Sequence, residues 1–353
     1  MQAFVYNALP ARVVFGHGTL AALPAEAERL GLENILVLST PEQEGQAASV
    51  ADRLGGRAAA VFAGAAMHTP VEVTDEAMAM VADNAVDGTV AIGGGSTIGL
   101  GKAIALRTEL PQIAVPTTYA GSEMTPIIGQ TAQGEKTTQR SLRVLPETVI
   151  YDVELTLSLP VALSSTSGIN AMAHAVEALY AEDRNPIVAL MAEEGIRSLA
   201  TALPRIKADA ADTEARADAL YSAWLCGTCL GSVGMALHHK LCHTLGGSFD
   251  LPHAQTHTIV LPHAVAYNAN AAAEAMTAIA RALGAGSAAQ GLYDLAQALE
   301  APLALKDLGM PEDGIDRAAE LAVQNLYWNP RKLEHKAIRE LIAQAWAGAR
   351  PAS

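Results

Sequence analysis

The chain has 353 residues, 50% of them hydrophobic and 17% charged, with a net charge of −14. That is enough chain for two folded domains, and it is too acidic for a nucleic-acid binder, with no basic run to offset the charge. An anionic ligand would have to be held by a local positive site.

Residues 4–6 and 13–15 read as short strands before a Gly-His-Gly turn, and no basic, then apolar, leader is evident at the N-terminus. An amphipathic helix is expected over residues 20–30 and a buried strand over 34–39. A further strand covers 58–62, followed by a helix over 71–84 with Thr74 as its start cap. A strand over 89–92 runs into Gly93-Gly94-Gly95-Ser96, a helix follows over 97–106, and strands return at 112–115 and 149–151. This alternation predicts a parallel sheet with helices on both faces. After Leu159-Pro160 only helices are expected, over 164–180, 187–203, 213–243, 271–283, 287–299, 315–323 and 334–347. The boundary falls near Ser158. An α/β dinucleotide-binding domain then occupies residues 1–158 and an all-helical catalytic domain residues 159–353. The uncharged stretch 219–237 is nearly long enough to span a bilayer, but it reads as the central helix of a soluble domain.

Three cysteines make no disulfide framework, which suits a reducing, cytoplasmic setting. Cys226 and Cys229 have CxxC spacing without a second pair, and read as buried packing.

Six of the ten histidines fall between residues 238 and 263: His238, His239, His243, His253, His257 and His263. Imidazoles bind metals, hydrogen-bond anions and move protons near neutral pH. His239 and His243 share a helix face by their spacing. Gly246-Gly247 is expected to end that helix and to place His253 in a Pro-containing loop. Asn170 and His174 have the same four-residue spacing, and Glu177 on that face could orient an imidazole or form an ion pair. Strand, GGGS and helix make a phosphate cradle. Gly93, Gly94 and Gly95 let backbone N–H groups approach an anion at a helix N-terminus, and Ser96 and Thr97 add hydroxyls. A second hydroxyl-rich loop, Pro116 to Glu123, supplies Thr117, Thr118 and Ser122 at the carboxyl end of the next strand, where open α/β sheets bind ligands. No GxGxxG follows the first strand.

Together these pieces resemble the iron-containing alcohol dehydrogenase family, which shares its fold with dehydroquinate synthase and glycerol dehydrogenase. The resemblance rests on FGHG from Phe15, GGGSTIGLGK from Gly93, PTTYAGSE from Pro116, the Asn170/His174 pair and the run HKLCHTLGG…PH from His239. It implies a dinucleotide-binding α/β domain, a helical domain, and an active site in the cleft between them. Metal-using members hold Fe or Zn with an Asp and three His, and the matching positions are Asn170, His174, His239 and His253. With Asn170 in place of the Asp the only anionic ligand is lost, so no essential metal is expected. Gly99-Leu100 also departs from the Asp and small residue common in relatives. Thr40 stands where NAD-preferring relatives carry an Asp, so NADPH should be accepted beside NADH.

Within the family, the branch that carries HHKLCHTLGG, LPHA and THTIVLPHA resembles the maleylacetate reductases. These reduce the carbon–carbon double bond of maleylacetate to give 3-oxoadipate during aromatic-ring degradation. The expected substrate is therefore a small dicarboxylate and the expected assembly a homodimer. The resemblance places His243 as the donor beside the nicotinamide and His174, His239 and His253 along the substrate pocket. Asn170, His238, Lys240, Arg140 and Arg331 are the further substrate-binding candidates. The alternative is a metal-dependent alcohol or polyol dehydrogenase that tolerates Asn170.

Overall fold

Short apolar runs with β-branched residues form the sheet of the first unit, and Ala- and Leu-rich amphipathic segments build nearly everything else. A computed structural model describes residues 4–132, 135–324 and 327–352. In chain order the first unit holds β1 (Arg12–Gly16), α1 (Leu23–Arg29), β2 (Ile35–Leu38), α2 (Glu44–Leu54), β3 (Ala58–Phe62) and α3 (Val71–Asp83). Then come β4 (Gly88–Gly93), α4 (Gly95–Thr108), β5 (Gln112–Pro116), β6 (Ile127–Ala132), β7 (Glu135–Arg140) and β8 (Thr148–Asp152). Six strands make a parallel sheet in the order β1-β8-β5-β4-β2-β3, and β6 and β7 form a separate antiparallel hairpin.

Alternation along the strands sets the two faces. Ile35, Val37, Val90, Ile92, Ile113 and Val115 pack with Leu23, Ala27, Ala47, Val50 and Leu54 of α1 and α2. Their neighbours Leu36, Leu38, Ala91 and Ala114 are buried as well, so the sheet is covered on both sides. Chain order reverses direction between β2 and β4. The carboxyl ends of these strands, at Thr40 and Gly93, therefore flank the switch point where such sheets bind ligands.

The second unit is helical: α5 (Val161–Leu179), α6 (Pro186–Ala208), α7 (Thr213–Ser232), α8 (Leu237–Phe249), α9 (His253–Asn268), α10 (Ala273–Leu283), α11 (Ala288–Ala298), α12 (Gly314–Val323) and α13 (His335–Ala347). Helix α5 is buried at every position from Ser164 to Leu179. One core joins Leu237, Leu241 and Leu245 of α8 with Ile259, Val260 and Ala264 of α9 and with residues of α12 and α13. The chain divides into two compact units, Ala8–Leu159 and Pro160–Ser353, with residues 4–7 grouped with the second.

Several expectations are corrected. Residues 4–6 form no strand; they are exposed and have no ladder partner, and pairing starts at Arg12 opposite Thr148. Thr74 does not cap α3. Pro70 holds that place, and the Thr74 hydroxyl donates back to the Pro70 carbonyl at 3.2 Å. Helix α2 and the β6–β7 hairpin were not anticipated. The expected helix over 213–243 is two helices, α7 and α8, bent by 96° at a break of four residues. Gly246 and Gly247 do not end α8. Leu241, Leu245 and Phe249 pack into the core at helical spacing, and this outweighs the roughly 1 kcal/mol that each interior Gly costs. The helix stops at Asp250 in the left-handed conformation. His253 opens α9 instead of lying in a loop, with Pro252 just ahead of it. Among the described residues, no single helix is long and apolar enough to cross a membrane.

Candidate active site

The α/β unit holds the cofactor cradle. Gly93 ends β4 with φ +152°, and a Cβ there would lie 2.4 Å from the Thr97 hydroxyl and 2.8 Å from Gln43 Oε1. A side chain is therefore excluded by contact as well as by conformation. Gly94 caps α4, whose first turn begins at exposed Gly95, with Ser96 half-buried. A fourteen-residue helix thus opens its N-terminus on this turn, a ready anion site. Thr97 is fully buried under Gly93 and packs the turn. The Thr117 N–H donates to Gly93 O at 3.0 Å, tying the second loop to the cradle. Gln43 Nε2 donates to the Thr117 hydroxyl at 3.0 Å. Sequence reasoning missed Gln43, since a lone Gln after a strand carries no signal. Thr118 and Ser122 are half-buried on the same loop.

Lys102, 1% exposed, fastens that loop from below. Its ammonium has three N–H groups to share among four oxygens in reach, Thr125 O at 2.7 Å, Thr125 Oγ1 and Ile127 O at 2.9 Å, and Ser122 O. Burial pushes this lysine down to about 7, with nearby Glu123 opposing. Burial also raises Glu123, which accepts from the Tyr151 hydroxyl at 2.7 Å. At Thr40 the hydroxyl hydrogen-bonds the carboxylate of exposed Glu42, a negative group not anticipated beside the uncharged position.

The helical unit brings the histidines together. Asn170, His174 and Glu177 lie on one face of α5, and all three are buried. His174 Nδ1 meets His239 Nε2 at 2.8 Å, and His239 Nδ1 meets Glu177 Oε2 at 2.7 Å. His257, for which sequence reasoning had no role, is the hub. Its ring centroid lies 4.2 Å from that of His253, 4.8 Å from His238, 5.1 Å from His239 and 6.4 Å from His174. His253 and His243 are exposed within this unit, and the His243 ring stands 6.4 Å from that of His239.

The basic candidates divide. His238 is fully buried; its Nε2 meets His257 Nδ1 at 2.9 Å, and burial holds both rings well below the usual imidazole range. A neutral ring with no exposed face cannot pair directly with a carboxylate in this arrangement. Arg331 stacks on the Tyr267 ring at 4.1 Å and donates to Tyr267 O at 3.1 Å, so its guanidinium braces the end of α9. Lys240 is half-buried, 5.8 Å from the Tyr327 ring. Arg140 ends β7 in the other unit and is exposed there.

Two metal sets can be tested. His238, Cys242 and His257 converge within 4.8 Å, but the two imidazoles already bond each other and burial keeps the Cys242 thiol protonated. The family's own set fits poorly as it stands. Two nitrogens on one tetrahedral zinc stand about 3.3 Å apart, whereas those of His174 and His239 are 2.8 Å apart as donor and acceptor. Asn170 Oδ1 is buried without a partner and brings no charge.

A nucleotide cradle in a parallel sheet, joined in one chain to a helical unit that gathers histidines, defines a nicotinamide-dependent oxidoreductase. The chain belongs to the iron-containing alcohol dehydrogenase family. Residues 10–153 match the family model "Iron-containing alcohol dehydrogenase", and residues 164–346 match "Fe-containing alcohol dehydrogenase family, C-terminal". Within it, the chain is 58% identical to a maleylacetate reductase of Rhizobium sp. (strain MTP-10005) over 99% of this chain and 100% of that one. A maleylacetate reductase of Burkholderia cepacia is 57% identical over the same shares. The crystal structure of maleylacetate reductase from Agrobacterium tumefaciens superposes with a TM-score of 0.96 at 58% identity, covering 99% of this chain and 100% of that chain.

Proposed function

We propose that the protein is a maleylacetate reductase, transferring hydride from NADH or NADPH to the carbon–carbon double bond of maleylacetate to give 3-oxoadipate. The observation that carries this reading is the full-length similarity to maleylacetate reductases. The geometry supports the reaction class. Hydride adds to the alkene carbon β to the ketone, and the electron pair moves onto the ketone oxygen. Imidazole N–H groups held in place stabilise that enolate, and a proton then adds at the α carbon. His243 and His253, exposed on α8 and α9, serve as donors. His174 and His239 line the pocket, and Asn170 adds an uncharged amide where a carboxylate would repel a dianionic substrate. Lys240 and Arg140 remain candidates for its carboxylates. Gly93 to Ser96 cradle the pyrophosphate, with Thr117, Thr118 and Ser122 beside it. No metal-dependent step is invoked, because the ligand set lacks its anion. A cytoplasmic homodimer completes the proposal.

The test follows NADH absorbance with maleylacetate, with and without chelator. Turnover that persists with chelator is the expected result. Loss on chelation with recovery on adding Zn or Fe overturns the metal-free mechanism. Oxidation of simple alcohols, without turnover of maleylacetate, overturns the substrate.

A further inference from the structure

Glu177 is fully buried in α5, and its two oxygens receive four N–H groups from the start of α8. The Glu177 carboxylate accepts from the backbone of Ala236 and His238 at 2.8 Å each, from the backbone of His239 at 3.4 Å and from His239 Nδ1 at 2.7 Å. Helix α8 has no side-chain cap of its own at Ala236, so Glu177 supplies the carboxylate that its first turn needs.

The same contacts dictate where ring protons sit. A carboxylate accepts hydrogen bonds and donates none, and backbone N–H groups point at both oxygens of Glu177. His239 Nδ1–H is therefore the donor at the 2.7 Å contact, and the lone pair of that ring lies on Nε2. His239 Nε2 faces His174 Nδ1 at 2.8 Å. Two lone pairs cannot face each other at that distance, so His174 Nδ1 carries a hydrogen and donates. We infer that Glu177 is a positioning residue that fixes His239 and, through it, His174 in the Nδ1–H form and so sets how the His174 ring is turned.

One consequence refines the reading above, on which it rests for the identity of the substrate. Both nitrogens of His239 are committed, one to Glu177 and one to His174, so His239 orients its neighbour and is not itself a donor to the enolate. Carboxylates that hold imidazoles in this way at metal and catalytic centres are worth about 10–100-fold in activity.

The experiment labels histidine with 15N in chelator-treated protein and reads long-range proton–nitrogen correlations, assigning rings by their loss in His174→Gln and His239→Gln. Both rings are expected as Nδ1–H, the opposite of the form free imidazole prefers. Glu177→Gln, which keeps the shape but replaces one acceptor by a donor, should shift His239 away from that form. It should also lower kcat by about 10–100-fold with KM changed less than about threefold. A wild-type spectrum showing His239 as Nε2–H overturns the inference even if Glu177→Gln does not fold. So does a folded Glu177→Gln with unchanged ring forms and unchanged kcat, the result for a helix cap alone. The spectrum needs no substrate, so failure on maleylacetate would overturn the proposed function and leave the ring assignment standing.

Discussion

His263→Leu should make the helical unit more tolerant of acid. His263 is 2% exposed in α9, and neither ring nitrogen has a hydrogen-bond partner. Burial lowers it from 6.5 to about 4. In the unfolded chain the ring takes a proton at about 6.5, and in the folded chain only near 4, so the unfolded state binds protons first as pH falls. Stability is complete above about pH 7, is lost between the two values and levels off below the lower one. The contribution from this ring is about 1 kcal/mol at pH 6, about 2 at pH 5 and about 3 at pH 4. Leucine removes the titration without stranding a partner, so at pH 8 the variant should match wild type within about 1 kcal/mol. Trp224, Trp328 and Trp346 all lie in the helical unit, so urea unfolding followed by tryptophan fluorescence reports this unit. The wild-type and variant midpoints should converge at pH 8 and separate by the amounts above as pH falls. Parallel curves from pH 8 to pH 4 would refute the reasoning, because they would mean that the buried ring finds a proton-compatible partner. Buried His238 and His257, also held below the usual range, keep the variant acid-sensitive, but less steeply.

Gly93→Ala puts a methyl group 2.4 Å from the Thr97 hydroxyl at a backbone angle that side chains rarely adopt. It should raise the KM and Kd for NADH by at least about tenfold, the equivalent of about 1.4 kcal/mol, while fluorescence-detected folding of the helical unit stays unchanged. Unaltered NADH titration would remove the cradle from the cofactor site. Glu42→Gln removes the carboxylate tied to the Thr40 hydroxyl. An exposed charge near the ribose repels a 2′-phosphate weakly because solvent screens it, so kcat/KM for NADPH should rise a few-fold relative to NADH. An unchanged ratio would show that the ribose binds away from Thr40.

Periodicity made the sheet legible. Apolar runs of four to six residues bounded by Gly and Pro gave β2, β4, β5 and β8, because strands buried on both faces tolerate little else. Helix α2 was hidden because EGQAASVADRL is mostly polar and its core face is only Ala47, Val50 and Leu54, yet the crossover between parallel β2 and β3 requires an element there. The break between α7 and α8 was illegible for another reason. Nothing in SVGMA forbids a helix. What stops it is tertiary: Asp183 takes the Gly234 N–H at 2.9 Å and Glu177 takes those of Ala236 and His238. Spacing cannot show a turn made by acceptors some sixty residues away.

The same carboxylate explains how far the site could be read. Asn170, His174 and His239 were recognisable by type and by four-residue spacing, and His174 and His239 meet at 2.8 Å. Which ring binds and which ring orients depends on Glu177, and that depends on α7 and α8 parting just where its two oxygens can collect backbone donors. The break that sequence reasoning missed is therefore what arranges the histidines it found. If α7 and α8 ran on as one helix, the first-turn N–H groups of α8 would be satisfied within the helix and would not hold Glu177, and the His239 ring would have no carboxylate to fix it. The loss of the acidic position at Asn170 leaves Glu177 as the acidic group bonded to the His174–His239 pair, and it is spent on a ring nitrogen and a helix start. Its charge stands behind the imidazoles, where it orders them.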